Sequence, residues 1–164
     1  GPSEADKRER KVEGYVQLAP DKKSAQEARQ AIRDINQLEE MIDELIDMKQ
    51  KFGYDTGLSA DRDAAKTKSI LMVGKLKAKP FLDLGVLQQA DVELLSKAIP
   101  MDPLGQIRTE PAIRQYQAVK DYVRKAKQIY FQALGMTPES GIQIDMSMDD
   151  LRNQFRSSQS TYGN

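Results

Sequence analysis

The sequence contains no cysteine, no histidine and no tryptophan among its 164 residues. Without cysteine there is no disulfide, no thiol nucleophile and no iron–sulfur ligation. Without histidine, serine–histidine and cysteine–histidine catalysis, histidine-ligated zinc and imidazole proton transfer are all excluded. The composition leaves open a carboxylate-only calcium or magnesium site and a two-carboxylate glycosidase site.

The chain also lacks an excess of one charge and any long apolar run. Its 25 basic and 25 acidic residues cancel, whereas domains that bind nucleic acid usually carry a clear basic excess. The apolar run at residues 70–73 is far shorter than a bilayer requires. We therefore expect a polar globular domain without a membrane-spanning segment.

Catalytic motifs are missing as well. The sequence has neither a glycine-rich phosphate loop nor a G-x-S-x-G motif. We expect no enzymatic activity, no catalytic residue, no metal ligand and no cofactor. An acidic run is a candidate site for a cation or a basic partner, although the favoured interpretation is a solvated helix face. The run comprises Glu39, Glu40, Asp43, Glu44 and Asp47.

Apolar residues recur every three or four positions, which is typical of amphipathic helices. The pattern predicts long helices over residues 24–52, 60–84 and 109–135, and a short helix over 91–99. Ser24, Ser59, Asp91 and Thr109 are the predicted N-caps. Pro80 lies within the second long helix, where we expect a kink or a break. The fold class is therefore all-α, a bundle of three long amphipathic helices plus one short helix, with flexible termini.

The predicted domain organisation has three parts. Residues 1–23 form a flexible or extended lead-in, residues 24–135 the helical bundle, and residues 136–164 a flexible tail with one or two helical turns near 148–155. Gly1-Pro2 is typical of the remnant of a cleaved expression tag. We therefore expect a domain excised from a longer protein.

Charge is shared unevenly among the predicted long helices. Residues 24–52 carry a net charge of −3, and residues 60–84 and 109–135 each carry +3. We expect the acidic helix to pair with the two basic ones. The alternative is that the basic side chains contact nucleic-acid phosphates. The candidate phosphate contacts are Lys75, Lys77, Lys79, Lys120, Arg124, Lys125 and Lys127.

Residues 76–103 are the most distinctive segment of the chain. A predicted helix end, a glycine turn, a short helix and two prolines follow one another there. We expect the apolar side chains of this segment to seat the short helix on the bundle. The predicted packing and interaction residues are Leu84, Gly85, Val86, Leu87, Asp91, Leu94, Leu95 and Ile99.

This segment resembles one that is common in large proteins of tailed bacteriophages. The resemblance rests on Leu84-Gly85-Val86-Leu87, a helix cap, paired leucines and the prolines of I-P-M-D-P, and it extends over residues 10–135. The chain has Gln89-Ala90-Asp91 where the phage proteins usually have Gly-Pro-Asp. Those proteins are virion components of the DNA-ejection, internal or tail-associated type. The resemblance implies a structural role and no catalytic residue.

The resemblance implies a non-enzymatic assembly domain of a larger virion protein that mediates protein–protein contacts, with a role in genome ejection as one setting. The expected partners are other virion proteins or further copies of the chain, with nucleic acid secondary. The expected location is the virion, and the host cytoplasm during assembly. A nucleic-acid-contacting helical module and a cellular helical adaptor are the alternatives.

Overall fold

A computed structural model describes residues 11–12, 15–16, 22–54, 57–77, 88–135 and 146–162. The first described elements are two short strands, β1 (Lys11–Val12) and β2 (Tyr15–Val16), which pair antiparallel with Lys11 opposite Val16. The remaining elements are helical. They are α1 (Lys22–Phe52), α2 (Ala60–Leu76), α3 (Gln89–Ala98), α4 (Pro103–Gln106), α5 (Thr109–Ala133) and α6 (Met148–Tyr162).

The all-α bundle is confirmed, but the count of three long helices and one short one is wrong. The described residues contain six helices. One additional helix is α4, in a segment where Pro100, Pro103 and Gly105 predicted irregular chain. Pro103 occupies the first position of α4, where its missing N–H has no helical partner to lose. Proline therefore begins this helix rather than preventing it.

The second additional helix is α6, within the predicted flexible tail. It runs for 15 residues, well beyond the one or two turns that the sequence predicted. Met148, Leu151 and Phe155 are buried, because α6 packs against α5 and α3. The flexible-tail prediction is therefore wrong for residues 148–162, and the domain boundaries at 23/24 and 135/136 stay predictions.

The two longest helices, α1 and α5, form the centre of the bundle. Each has an apolar stripe with helical spacing, and the two stripes pack together. From α1 the core takes Ala28, Ala31, Ile35, Leu38, Ile42 and Leu45, and from α5 it takes Ala112, Tyr116, Val119, Val123, Ala126 and Tyr130. Burial of this surface stabilises the fold by roughly 25 cal/mol per Å².

Helix ends follow local chemistry. Gly53 follows α1 directly and Gly135 follows Leu134, the C-cap of α5, with φ of 66° and 68°, a left-handed conformation that favours glycine. Ser59 caps α2, since its hydroxyl accepts the backbone N–H of Arg62 at 3.0 Å. The predicted N-cap at Ser59 is therefore confirmed.

Other predicted ends differ from the structure. Helix α1 begins at Lys22, which places Ser24 inside the helix rather than at its N-cap. Arg108 is the N-cap of α5, so Thr109 lies one position further in. Helix α2 ends at Leu76 with Lys77 as its C-cap, ahead of the predicted end at residue 84, and an end there agrees with the break that Pro80 predicted. Pro80 lies outside the described residues.

Tyr116 is fully buried in the N-terminal half of α5, and its hydroxyl has no hydrogen-bond partner among the described residues. Burial also raises the pKa of this phenol. An unpaired buried hydroxyl costs about 1–3 kcal/mol. Replacing Tyr116 with phenylalanine is therefore expected to raise the free energy of unfolding by about 1 kcal/mol, measured by urea denaturation. A loss of stability would show that the hydroxyl has a partner.

Candidate interaction surface

The acidic face of α1 lies between two basic helices. On the α5 side, Lys120 Nζ lies 2.6 Å from Asp43 Oδ1, and Glu39 receives both Arg124 at 3.5 Å and Lys127 at 3.0 Å. On the α2 side, Lys75 pairs with Asp34 at 3.6 Å and Lys68 pairs with Glu44. The predicted charge complementarity among the three helices is therefore confirmed. Each exposed pair contributes only about 0–1 kcal/mol.

These ion pairs engage most of the candidate phosphate contacts. Lys75, Lys120, Arg124 and Lys127 all face carboxylates of α1. Lys125 is buried, with 8% of its surface exposed. Lys77 is exposed at the C-terminal end of α2, and Lys79 lies outside the described residues. A phosphate would therefore have to compete with carboxylates that already hold four of these seven cations.

The acidic run on α1 is also engaged by its neighbours. Glu39, Asp43 and Glu44 pair with basic side chains, while Glu40 and Asp47 are exposed. No cluster of acidic side chains suited to a metal ion occurs among the described residues. Three of the five carboxylates of this run therefore take part in the ion pairs that join α1 to α2 and α5.

Four of the predicted packing residues lie in the described part of α3. Asp91, Leu95 and Ile99 are buried, and Leu94 is half-buried against the core. Leu84, Gly85, Val86 and Leu87 lie outside the described residues. Helix α3 thus seats on the bundle through the residues that its spacing indicated.

Asp91 has a different position from the one predicted. The N-cap is Gln88, and Asp91 is the third helical residue, where its Oδ2 accepts the backbone N–H of Gln88 at 2.9 Å. Its Oδ1 accepts the Tyr122 hydroxyl at 2.5 Å, and Arg152 donates to both carboxylate oxygens at 2.5 and 3.0 Å. One buried carboxylate therefore ties α3 to α5 and α6.

The charge state of Asp91 follows from these contacts. Burial by itself raises the pKa of the carboxyl. The hydrogen bonds from Arg152, Tyr122 and the Gln88 backbone outweigh burial and hold the pKa below its usual value. The carboxylate consequently stays ionised in the fold, and its contacts satisfy the polar groups around it. The sequence had no signal for Arg152, which comes from the predicted flexible tail.

A second buried charge lies where α1 contacts α4. Lys49 of α1 is fully buried, and its ammonium donates to the carbonyl oxygens of Pro103, at 3.0 Å, and Ile107. Burial lowers the pKa of this lysine, and the charge of Asp102 opposes that shift. Arg62 of α2 holds Asp102 through its guanidinium, with Nε 3.0 Å from Oδ1. Lys49 and Arg62 together fix α4 in place, because Lys49 binds carbonyl oxygens at both ends of this helix and Arg62 binds its N-cap residue, Asp102.

A recess of about 240 Å³ lies between α5 and α6. Its lining is mostly polar and contains Arg114, Asp121, Leu151, Gln154 and Phe155. Burial raises the pKa of Asp121 against the opposing charges of Arg124 and Lys120. Asp121 is the only acidic residue among those that line the recess. The pair of carboxylates that a glycosidase requires is therefore not assembled there.

The largest departure from the sequence pattern concerns α2. Its buried side is small and consists of Ala65, Ser69, Met72 and Leu76. Its opposite side is apolar but exposed, with Ile70 at 58% and Leu71 at 51%. We call this side the α2 outer face, and define it by Ala60, Ala64, Thr67, Ile70, Leu71 and Gly74, all exposed.

Ala64, Ile70 and Leu71 belong to the apolar residues of the predicted helix over 60–84, and their spacing alone does not assign them to one face. Met72 and Leu76 lie on one side of the helix and Ile70 and Leu71 on the other, so α2 has apolar residues on both sides. A helix with two apolar sides needs two neighbours. The described helices cover one of these sides and leave the other exposed.

Comparisons of the chain with known protein families, with curated proteins and with solved structures found no match. Among the described residues, no helix combines the length and apolar character that crossing a bilayer requires. The geometry of the α2 outer face is thus the main structural indication of function.

Proposed function

We propose that this chain is a non-enzymatic assembly domain of a larger tailed-phage virion protein. It presents helical faces to neighbouring proteins in the particle, in the setting of genome ejection. The resemblance of residues 84–103 to phage virion proteins supports this setting. The virion is the proposed location.

The α2 outer face is the observation that carries the proposal. Two adjacent large apolar side chains, Ile70 and Leu71, are each more than half exposed at the middle of a regular helix. Single exposed apolar residues are common, but contiguous apolar surface favours a protein contact. The small residues around them leave room for a partner to approach the helix.

The internal charge pairing supports a protein partner over nucleic acid. Four of the seven basic side chains that the sequence offered to phosphates contact carboxylates of α1 instead. A nucleic-acid surface needs cations that are free to displace counterions. The α2 outer face offers mainly apolar surface, which suits a protein.

Site-specific photo-crosslinking tests the proposal. A photoreactive amino acid at position 71 is expected to form crosslinks to protein during particle assembly. The matched control places it at Glu110, whose side chain is 89% exposed in the first turn of α5. Crosslinks to virion proteins or to the chain itself from position 71 only are the expected result. Equal crosslinking at both positions, or none at position 71, would contradict an assembly role for α2.

A further inference from the structure

We infer that the α2 outer face binds the α2 outer face of a second copy, with the two helices antiparallel. This inference rests on the proposed assembly function and identifies its partner. Three features of α2 support it: the spacing of its exposed residues, the order of its charges, and the open space at Gly74.

The first feature is a repeat of seven along one edge of the face. Asp63, Ile70 and Lys77 are all exposed and lie seven residues apart. Two helical turns separate each from the next, so the three follow one line along the helix. Asp63 and Lys77 each lie about 10 Å from Ile70 along the axis, at a rise of about 1.5 Å per residue.

The second feature is the order of charges along this line, which matches that of a second copy only when the second helix runs in the opposite direction. In an antiparallel pair with its twofold axis at Ile70, the two Ile70 side chains meet. Asp63 of each copy then faces Lys77 of the other. A parallel pair would place Asp63 opposite Asp63 and Lys77 opposite Lys77. The order of charges therefore selects the antiparallel orientation, in which Asp63 contacts Lys77 and Lys77 contacts Asp63, the reciprocal pattern of an isologous twofold contact.

The third feature is Gly74, which lies seven residues after Thr67 on the centre line of the face. A Cβ atom built at Gly74 would meet nothing within 4 Å, so packing inside this chain does not require glycine. Glycine within a helix is less stable than alanine by about 0.5–1 kcal/mol. Close approach of another backbone supplies the missing reason, because Thr67 of a second copy lies within about 1.5 Å of the level of Gly74, one residue rise, in the same arrangement.

The expected dimer is small. A helix of 17 residues gives contact along about 25 Å, which lies at the low end of specific interfaces. We therefore expect a weak, concentration-dependent dimer, strengthened when the larger parent protein brings copies together. Neither Asp63 nor Lys77 has an ion-pair partner among the described residues, so both are available for the contact.

A pair of charge reversals tests the orientation. Asp63→Lys places two lysines opposite each other at both ends of the contact, and Lys77→Glu does the same with two carboxylates. Each variant alone is expected to dimerise roughly tenfold more weakly, because two pairs of about 0–1 kcal/mol change from attraction to repulsion. Mixed one to one, the variants regain both ion pairs. The lysine introduced at position 63 of one variant then faces the glutamate introduced at position 77 of the other, and the unchanged Lys77 faces the unchanged Asp63.

Sedimentation equilibrium of the purified chain at low salt measures these associations. Wild type and the mixture are expected to dimerise, and each variant alone to remain largely monomeric. A mixture no more associated than its components would overturn the inference, as would tighter self-association of either variant. A wild-type monomer that still crosslinks from position 71 to another protein would overturn the second-copy partner and leave the proposed function standing.

Gly74→Ala separates the fold from the contact. This substitution is expected to leave the monomer as stable or slightly more stable, because alanine favours the helix. It is also expected to weaken dimerisation several-fold, because the added methyl group holds the two backbones apart. Unchanged dimerisation in Gly74→Ala would overturn the close approach of the helices at this position.

Discussion

Replacing Asp91 with alanine is expected to lower the free energy of unfolding by about 3–5 kcal/mol, the cost of removing one partner of a buried ion pair. The side chain of Asp91 is 1% exposed and that of Arg152 is 16% exposed. The substitution leaves the guanidinium without its carboxylate and the buried Tyr122 hydroxyl without its acceptor. It also removes the cap on the Gln88 backbone N–H. Urea denaturation followed by circular dichroism measures the loss.

The matched control is Glu93→Ala, an exposed acid on the same helix, which is expected to change stability by less than about 0.5 kcal/mol. A loss of similar size in both variants would show that Asp91 does not join the three helices. Asp91→Asn should fall between wild type and Asp91→Ala, because the amide oxygen can still accept from Tyr122 but no longer neutralises Arg152.

The same network predicts a dependence on pH. Because the folded-state pKa of Asp91 is lowered, its contribution is full above the usual carboxyl pKa of about 4. The contribution is lost as the pH falls through the lower folded-state value. The stability difference between wild type and Asp91→Ala should therefore be smaller at pH 2 than at pH 7. A difference that does not change with pH would contradict the ionised state of Asp91.

The second large effect is expected from Phe155→Ala in α6. Phe155 is 3% exposed, and its ring meets that of Tyr122 edge to face at a centroid distance of 6.1 Å. Removing a buried phenylalanine typically lowers the free energy of unfolding by about 3–5 kcal/mol. Thermal and urea unfolding should both show one cooperative transition at lower stability, because α6 belongs to the core.

Gln154→Ala, one residue earlier on the exposed side of α6, is the control and should leave stability nearly unchanged. If Phe155→Ala behaves like Gln154→Ala, α6 does not pack on the bundle as described. Hydrogen exchange of the α6 amides gives an independent measure. Protection close to that of α5 supports a shared core, whereas rapid exchange would separate α6 from the bundle.

Periodicity made the two central helices predictable from sequence. Both α1 and α5 are long, carry an uninterrupted stripe and end at a glycine, so the local signals agree with the fold. The charges were equally readable, since a −3 helix beside two +3 helices leaves few arrangements. The sequence could not give the individual partners, such as Glu39 with Lys127, because they depend on how the helices are rotated and shifted against each other.

Helix α6 was underestimated because its signals are weak when read alone. Among the side chains of α6 that the structure describes, at positions 148–157, only Met148, Leu151 and Phe155 are large, apolar and buried, and Ser and Gln are frequent in the helix. This helix is stabilised by packing against α5 and α3 and by the contact of Arg152 with Asp91, 61 positions earlier in the chain. A contact at such a sequence separation leaves no local pattern.

The exposed face of α2 was missed for a related reason. Apolar content predicts burial, and Ile70 and Leu71 were read as part of the helix's apolar pattern. A helix whose second apolar side is covered by another protein has the same sequence pattern as a helix that its own chain buries on both sides. Only the positions of α1, α3 and α4 against Met72 and Leu76 show which side the bundle leaves open.

The central claim is that the α2 outer face joins one copy of the chain to another. Sedimentation equilibrium of wild type and Ile70→Glu over a wide concentration range tests it most directly. The wild-type average mass is expected to rise from 18.5 kDa towards twice that value and to do so in high salt as well, because the contact at Ile70 is apolar. Ile70→Glu should remain at the monomer mass and unfold at the same urea concentration as wild type. Identical masses for the two proteins at every concentration would contradict the claim.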